Sequence, residues 1–397
     1  MFLRLTIRLA LIALALAACG GGGTDSSAPP TSQTEEITAT RTRTPTPPPT
    51  WTPQPTNTLR PPPPTLARTP RPTEPPFGVF PPTAPAQTLP PVTSADAAQL
   101  SEIARVELAV PQDFAWSPDG SLLAVASNEG VWVYPNGDVA ALPRLLPFDS
   151  TALNQKTACV TFSPDGATLA AGNGDGALRL WDLPTYTLRA SWSAGEVTVW
   201  DCAFSPDGSS LLTGLSQNRL VAWDPATGDL LIEFDAPGID VYALAYNRDG
   251  TRLVVGSSDP AVQLWDAVRG RALTTFSGHV GGARAVAFSP DGATFATGDA
   301  DGIVRVWAVQ SGLAAPPEST FEPLTNIITS LAFSPDGALL VVGVSDGMLH
   351  IFQTDSAEEV FRTQAHDPWV AALTWSPDGG RLYSAGLDGV VRVWGIP

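Results

Sequence analysis

The sequence predicts an all-β fold, a seven-bladed β-propeller of four-stranded antiparallel blades, preceded by a signal peptide and a disordered Pro/Thr-rich linker. The first observation is a turn of the Ser-Pro-Asp-Gly type that recurs seven times at spacings of 42 to 46 residues. The second is an aromatic residue that follows the turn aspartate by 16 residues in six of the seven units. A period of about 40–45 residues with these two markers is typical of a propeller blade.

Both markers are found in every unit, although the first unit is one residue shorter than the others. The turn aspartates are Asp119, Asp165, Asp207, Asp249, Asp291, Asp336 and Asp378. The closing aromatics are Tyr134, Trp181, Trp223, Trp265, Trp307, Phe352 and Trp394. Seven units predict seven blades.

The fifth unit shows how the strands of one blade follow from the residues. Residues 285–288 are an apolar run, which indicates a buried innermost strand, and 289–292 place Pro and Gly where a type I turn favours them. Residues 294–297 and 303–307 predict the second and third strands. The segment that follows supplies the fourth strand and leads into the next unit.

The two ends of the repeat region predict how the ring closes. The last unit stops at Pro397, just after its third strand, so one outer strand is missing there. Before the first unit, a segment near 103–108 alternates apolar and polar residues, as a half-exposed strand does. We expect this segment to complete the last blade and cover its exposed edge.

The amino terminus predicts export. Arg4 and Arg8 precede a short apolar run, and Leu16-Ala17-Ala18-Cys19 resembles the lipobox of bacterial lipoproteins. The resemblance implies a lipoprotein signal peptide over 1–18 and a lipidated Cys19, with several acyl chains giving stable membrane attachment. The alternatives are an ordinary signal peptide with a coincidental cysteine, or a single anchor helix.

Residues 19–98 predict a disordered tether, first Gly-rich and then Thr/Pro-rich. Residues 24–93 hold 21 Pro and few large apolar residues, so this stretch cannot bury a core and favours extended conformations. Its clustered Thr residues carry O-linked sugars or form an unmodified spacer. The folded domain is predicted over 99–397.

The folded domain is strongly acidic. Residues 99–397 carry 15 Arg and Lys against 34 Asp and Glu. A surface of this sign repels phosphate backbones and anionic headgroups, and we find no basic patch that overrides it. Nucleic acid is therefore not an expected partner of the ring, which we expect to be monomeric.

Two cysteines lie at the starts of neighbouring innermost strands. Cys159 is three residues before Phe162, and Cys202 is two residues before Phe204. This offset puts the two side chains on opposite pleat faces, whereas a disulfide needs converging side chains with Cα atoms within about 7 Å. We favour buried free thiols over a disulfide.

The units resemble those of the tryptophan-aspartate (WD) repeat family over roughly residues 100–397. Trp-Asp stands at 181–182, 223–224 and 265–266, and Gly278-His279 precedes the fifth unit, whereas Trp307 and Trp394 lack the Asp. The TolB-like propellers also repeat Trp-Ser-Pro-Asp-Gly, as at 116–120 and 375–379, but the Trp-Asp endings favour the WD family.

The WD resemblance implies two hydrogen-bonded sets inside single blades. The sets are His279 with Thr297, Asp301 and Trp307, and His366 with Ser384, Asp388 and Trp394. Such sets consist of buried polar groups that satisfy one another. His366, Ser384 and Asp388 also have the composition of a hydrolase triad, but Thr297 takes the position of Ser384 in the other set, so a structural repeat explains both.

In peptide-binding WD-repeat proteins, the residue after the first apolar position of each innermost strand faces the mouth of the central channel. These residues here are Gln112, Ala158, Trp200, Tyr242, Arg284, Thr329 and Ala371. Trp, Tyr and Arg are enriched in interface hot spots. We expect a partner to bind Trp200, Tyr242 and Arg284, with Gln112, Thr329 and nearby Trp369. The acids Asp113, Asp201, Asp240 and Asp367 are candidates for the rim of this site. Packing residues at a loop edge are the alternative.

No motif predicts catalysis, a metal or a cofactor. The Cys and His spacings do not suit zinc, and we find no Gly-rich phosphate loop, Gly-x-Ser-x-Gly or His-Glu-x-x-His motif. The sequence favours an envelope-anchored, non-catalytic protein-interaction scaffold outside the cytoplasm. An extracytoplasmic propeller that binds a glycan or small solute is the alternative, and a hydrolase is a weaker one.

Overall fold

The computed structural model describes residues 89–148, 157–183, 185–236, 238–309, 316–321, 324 and 326–396. The predicted signal peptide, the lipidation of Cys19 and the tether up to residue 88 lie outside these ranges. Within them, no helix is both long enough and apolar enough to cross a bilayer.

Seven four-stranded antiparallel sheets form a ring, as the repeat count predicted. Blade 1 consists of β2 (Asp113–Trp116), β3 (Leu122–Ser127), β4 (Gly130–Pro135) and β5 (Arg144–Pro147). Blade 2 consists of β6 (Thr157–Phe162), β7 (Thr168–Asn173), β8 (Ala177–Asp182) and β9 (Thr187–Ser193). Blade 3 consists of β10 (Val199–Phe204), β11 (Leu211–Leu215), β12 (Arg219–Trp223) and β13 (Leu230–Asp235). Blade 4 consists of β14 (Val241–Tyr246), β15 (Arg252–Ser257), β16 (Val262–Asp266) and β17 (Arg271–Phe276). Blade 5 consists of β18 (Ala283–Phe288), β19 (Thr294–Asp299), β20 (Val304–Ala308) and β21 (Ser319–Thr320). Blade 6 consists of β22 (Ile328–Phe333), β23 (Leu339–Val344), β24 (Met348–Gln353) and β25 (Glu359–Gln364).

Blade 7 consists of β26 (Val370–Trp375), β27 (Leu382–Gly386) and β28 (Val390–Gly395) from the end of the chain, with β1 (Ser101–Glu107) from its start. Pairing runs antiparallel from Ser101 opposite Gly395 to Glu107 opposite Val390. The closing strand predicted near 103–108 is therefore confirmed.

The tether ends earlier than the sequence suggested. Residues 89–98 were assigned to it, but Val92 and Ala97 are buried in the apolar layer of blades 6 and 7, and a short 3-10 helix spans Ala97–Gln99. The Val92 amide donates to the Gly379 carbonyl at 3.0 Å. Isolated apolar residues in a Pro-rich stretch gave no periodic signal for this packing.

The repeated turn fixes the first corner of each blade through its own side chains. In blade 2, Ser163 Oγ donates to Asp165 Oδ1 at 2.6 Å, and the Ala167 amide donates to the same oxygen at 2.9 Å. These bonds, with that of Ser163 first, lower the pKa of Asp165. Gly166 follows at φ +69°, a conformation that side chains rarely adopt. The Ser-Pro-Asp-Gly pattern is thus explained by local hydrogen bonding.

The core consists of layers between blades. Seven clusters of buried apolar residues each join two neighbouring sheets, and together they occupy all seven junctions of the ring. The closing aromatics pack in these layers, with Trp307 and Tyr134 fully buried. Face-to-face stacking of the sheets decides which side chains meet, because each pleat face belongs to a different junction.

Candidate functional site

A cavity of about 590 Å³ lies where the seven innermost strands meet. Its wall contains all seven of the residues predicted at the channel mouth, namely Gln112, Ala158, Trp200, Tyr242, Arg284, Thr329 and Ala371, as well as Trp369. Adjacent innermost strands present equivalent positions to the axis, so residues about 42 positions apart in the chain become neighbours here.

Three of these side chains form a continuous ladder across blades 3, 4 and 5. The rings of Trp200 and Tyr242 meet edge to face with centroids 5.5 Å apart. Arg284 Cζ lies 4.5 Å from the centroid of the Tyr242 ring, a cation–π distance. Trp200 Nε1 is buried without a hydrogen-bond partner among the residues that the structure describes. The ladder therefore presents aromatic surface and one guanidinium to the cavity, while the Trp200 N–H group is enclosed.

The other predicted partner-binding residues line the same cavity but differ in what they already bind. Thr329 Oγ1 donates to the Val370 carbonyl at 2.5 Å and so links blades 6 and 7. Gln112 Nε2 donates weakly to the Val110 carbonyl at 3.4 Å. Trp369 is half-buried. Their part in partner binding stays a prediction.

Two of the acids considered for the rim have a structural role. Asp113 Oδ2 accepts the Val160 amide of the next blade at 2.9 Å, and Asp201 Oδ2 accepts the Leu244 amide of the next blade at 2.7 Å. Burial, together with the charge of Asp201, raises the pKa of Asp113 to about 8, and burial raises the pKa of Asp201 to about 7. Both carboxyls tie one innermost strand to the next.

These contacts follow a rule that holds at four junctions. The residue six positions before a turn aspartate points towards the next blade, where it meets the residue five positions before that blade's turn aspartate. We call these contacts inter-blade ties; they join Asp113 to Val160, Cys159 to Cys202, Asp201 to Leu244 and Ser330 to Leu373.

The second tie corrects the expectation of free thiols. Cys159 and Cys202 form a disulfide with Cα atoms 5.8 Å apart. Their side chains do lie on opposite pleat faces, but they belong to two sheets stacked face to face. The forward face of blade 2 meets the backward face of blade 3, so the two sulfurs converge.

The set around His279 differs from the predicted one in its acid. His279 Nε2 lies 2.6 Å from Thr297 Oγ1, and Trp307 Nε1 donates to that oxygen at 2.8 Å. The carboxylate beside His279 Nδ1, at 2.6 Å, belongs to Asp299, so the assignment of Asp301 is wrong. Asp301 instead donates its amide to Asp299 Oδ1.

The set around His366 contains the four residues that the resemblance implied. His366 Nε2 lies 2.8 Å from Ser384 Oγ, which also accepts Trp394 Nε1 at 3.0 Å. His366 Nδ1 lies 2.9 Å from Asp388 Oδ1. Burial lowers the pKa of His366, which keeps the ring neutral. Ser384 is fully buried and bound to an indole, so its surroundings fit a structural role better than that of a nucleophile.

A glycine explains why the two sets use different acids. Gly386 in blade 7 takes the position that Asp299 takes in blade 5, eight residues after the turn aspartate. A Cβ atom at Gly386 would lie 2.2 Å from His366 Nδ1. His366 thus fills the space over Gly386, and its acid comes from Asp388. The presence of Asp at 299 and Gly at 386 was the sequence signal that could have separated the two cases.

Metal binding gains no support from the described ranges, which contain no group of three or more His, Cys, Asp or Glu that could hold an ion. The rim acids Asp240 and Asp367 lie apart from the ties. Asp240 accepts a long hydrogen bond of 3.5 Å from the Tyr242 hydroxyl. The cavity can therefore recognise a ligand or partner through aromatic, cationic and hydrogen-bonding groups.

Comparison with known families agrees with this geometry. The WD domain, G-beta repeat family matches residues 154–182, 184–224, 228–266 and 270–308. The family described as the anaphase-promoting complex subunit 4 WD40 domain matches residues 319–378. A search of curated proteins finds no match. Together the two sets of matches cover just over half of the chain and fall on blades 2 to 7 of a seven-bladed ring, so the chain belongs to the WD-repeat propeller family.

Proposed function

We propose that this chain is a lipid-anchored, non-catalytic scaffold that displays its propeller outside the cytoplasm of a bacterium and binds a protein or peptide at the axial cavity. The observation that carries the binding site is the ladder of Trp200, Tyr242 and Arg284. WD-repeat propellers generally mediate protein–protein interactions, which supports the partner class.

The ladder has the properties of an interaction hot spot. Its three residues are half-buried, so each is held in place while part of its surface remains open to the cavity. Arg284 stacks on Tyr242, which limits its conformational freedom before a partner arrives and lowers the entropic cost of binding. The Arg284 guanidinium in the cavity wall favours a partner that brings a carboxylate or carbonyl oxygen.

Binding at the ladder is tested with full-length protein immobilised on beads and exposed to envelope extract, with mass spectrometry as the readout. We expect a specific partner whose capture falls at least about tenfold with Trp200→Ala and with Arg284→Ala, about 1.4 kcal/mol each. Leu142→Ala, at an exposed site away from the cavity, is the control. Unchanged capture by both ladder variants would remove the cavity as the binding site.

The extracytoplasmic location is supported by two independent features of the chain. The segment Leu16-Ala17-Ala18-Cys19 resembles a lipobox. The Cys159–Cys202 disulfide is a bond that persists in oxidising compartments and is rare in the cytosol. We expect Cys19→Ser to move the protein from the membrane fraction to the soluble fraction, measured by immunoblotting. Retention in the membrane fraction would point to a different anchor.

A second candidate is binding of a glycan or small solute. The cavity volume of about 590 Å³ falls within the range of small-molecule sites, and aromatic walls suit sugar rings. A sugar array probed with full-length protein separates the cases. A single saccharide hit that is lost with Trp200→Ala, with no protein captured from the extract, would favour this candidate.

A further inference from the structure

The wall of the axial cavity contains two acidic residues and one basic residue. Of the described residues that line it, Asp113, Asp201 and Arg284 are the three with a charged side chain. The rim acids Asp240 and Asp367 are not part of this lining. One guanidinium against two carboxyls gives the wall a net charge of +1 when both carboxyls are protonated and −1 when both are ionised. Two protons therefore reverse the sign of the cavity.

The arginine of the wall is not neutralised by a neighbouring acid. Among the described residues, no carboxylate forms an ion pair with Arg284, whose guanidinium stacks on Tyr242 with Cζ 4.5 Å from the ring centroid. A stacked guanidinium keeps its N–H donors at its edges, where they can bind a carboxylate with charge-assisted hydrogen bonds. Arg284 is therefore the group beside which an anionic guest would bind.

The two carboxyls are held in the wall by the backbone. Each of Asp113 and Asp201 accepts two backbone amides at 2.7–2.9 Å, one from the next residue and one from the next blade. A protonated carboxyl keeps acceptor capacity, so these bonds do not require the charged form. Asp201 follows Trp200 directly, and its tie reaches Leu244, two residues after Tyr242. This carboxyl therefore lies beside the ladder.

The surroundings of the two carboxyls decide when they ionise. Burial, together with the charge of Asp201, raises the pKa of Asp113 to about 8, and burial raises the pKa of Asp201 to about 7. The strands packed against β2 and β10 contain no Asp, Glu, His, Lys or Arg; they are β3, β6, β7, β11, β14 and β26. Burial raises the pKa values of Tyr242 and Tyr246 in β14 above 10, and Cys159 in β6 is in the disulfide. The charge of the wall therefore changes between about pH 6 and 9, through these two carboxyls.

We propose that Asp113 and Asp201 determine the charge of the group that the axial cavity accepts. With both carboxyls protonated, the cavity binds an anionic group beside Arg284, and with both ionised it excludes that group. A change of two unit charges in a cavity of about 590 Å³ alters affinity for an anion at least about tenfold. This inference rests on the proposed function, and it specifies a partner that inserts an acidic side chain or a terminal carboxylate and is held more tightly at pH 6 than at pH 9.

The charge of the cavity is measured by ionic quenching of Trp200 fluorescence in full-length protein at constant ionic strength. Iodide is the anionic quencher, caesium the cationic one and acrylamide the neutral one. Subtracting the signal of the Trp200→Phe variant isolates the contribution of Trp200. We expect the Stern–Volmer constant for iodide to fall at least about threefold between pH 6 and 9, that for caesium to rise, and that for acrylamide to stay unchanged.

Two variants assign this effect to the wall. The Asp113→Ser and Asp201→Ser double variant should remove the pH dependence of iodide quenching, because serine makes the equivalent tie at Ser330 without titrating. Arg284→Gln should lower the iodide constant at pH 6 and keep its fall towards pH 9; it serves where the double variant fails to fold, as judged by thermal unfolding. Asp249→Ser changes an exposed turn acid outside the cavity wall and is the matched control, which should behave as the unchanged chain does.

The outcomes separate this inference from the proposed function. Equal iodide constants at pH 6 and 9, or an equal fall in the double variant and the unchanged chain, would overturn the proposal. Failure of acrylamide to quench Trp200 would show a cavity closed to solutes, and it would overturn both this proposal and binding at the cavity. Iodide quenching that does not depend on pH, together with partner capture that is lost with Arg284→Ala, would overturn this inference alone.

Discussion

The three junctions 1/2, 2/3 and 3/4 differ from the junctions 4/5 and 5/6 in the groups that join the innermost strands of neighbouring blades. The first three carry inter-blade ties: the Asp113 carboxyl, the Cys159–Cys202 disulfide and the Asp201 carboxyl. At the next two, the equivalent positions hold Ala243 and Ala285. Blades 5 and 7 instead contain the His sets, which satisfy polar groups inside a single blade. The same strand geometry therefore accepts polar, covalent or purely apolar junctions.

Ring closure uses yet another means. The junction from blade 7 to blade 1 has Ala372 at the tie position, and β1 closes the ring at its circumference through a backbone ladder with β28. Ala104 and Val106 of β1 also pack against the apolar layer between blades 7 and 1. The molecule thus separates closure at the outside from ties at the inside, and the two can be perturbed one at a time.

Removing the closing strand should have the largest effect. Deleting residues 101–107 exposes the edge of β28 and takes away its apolar cover, so we expect a loss of more than about 4 kcal/mol in the free energy of unfolding. Thermal unfolding of the full chain measures it. Deleting seven residues of the tether, 44–50, is the matched control and should leave the midpoint unchanged. Equal midpoints for the two deletions would contradict the closure.

Removing the disulfide should have a smaller effect. The bond closes a sequence separation of 43 residues, for which loop-closure entropy predicts a stabilisation of about 4 kcal/mol as an upper expectation. We expect the Cys159→Ser and Cys202→Ser double variant to unfold at lower denaturant concentration. Reductant should lower the stability of the unchanged chain towards that of the variant and leave the variant unaffected. A shift of both proteins by reductant would contradict this assignment.

The carboxyl ties should give the smallest effect, visible in pH dependence. The folded-state pKa values of about 8 for Asp113 and about 7 for Asp201 lie above the ordinary value of 3.8. The folded state therefore binds more protons than the unfolded state between about pH 4 and 8. The two carboxyls stabilise the fold fully below about pH 4, and this stabilisation declines as pH rises and is lost as pH passes 7 and 8. Both carboxyls are half-exposed in the cavity wall, where solvent screens their charge, so we expect a loss of about 1 kcal/mol in the free energy of unfolding between pH 7 and 9.

The test compares thermal midpoints at pH 7 and 9. The Asp113→Ser and Asp201→Ser double variant should lose less stability than the unchanged chain, because serine makes the equivalent tie at Ser330 without titrating. Asp249→Ser is the control, since hydrogen bonds from Thr251 hold the pKa of Asp249 below 3.8. His366 does not interfere, because its lowered pKa affects stability only at acidic pH. If the thermal midpoints of all three proteins fell equally between pH 7 and 9, the titration of Asp113 and Asp201 would not account for the pH dependence.

How far the site could be predicted depended on whether a position repeats. The seven residues at the axial cavity were predictable because each lies at the same distance from a turn aspartate. For Trp200, Tyr242 and Arg284 the sequence predicted only that the side chains lie near one another. The contacts of Tyr242 with Trp200 and with Arg284 follow from the placement of the blades. An apolar groove of about 240 Å³ between blades 3 and 4 was not foreseen, because Ile232 of β13 and the loop residue Val268, which line it beside the repeated Trp265, stand at positions whose residues differ from blade to blade.

The sequence by itself determined the number of blades, the strand order and the closure by β1, because local turn chemistry and strand periodicity repeat with every unit. Tertiary structure decided which side chains meet across a junction, as the Cys159–Cys202 disulfide shows. The reason is that stacking brings together faces of two separate sheets, so side-chain contacts there depend on the relative placement of residues about 42 positions apart, which no local pattern specifies.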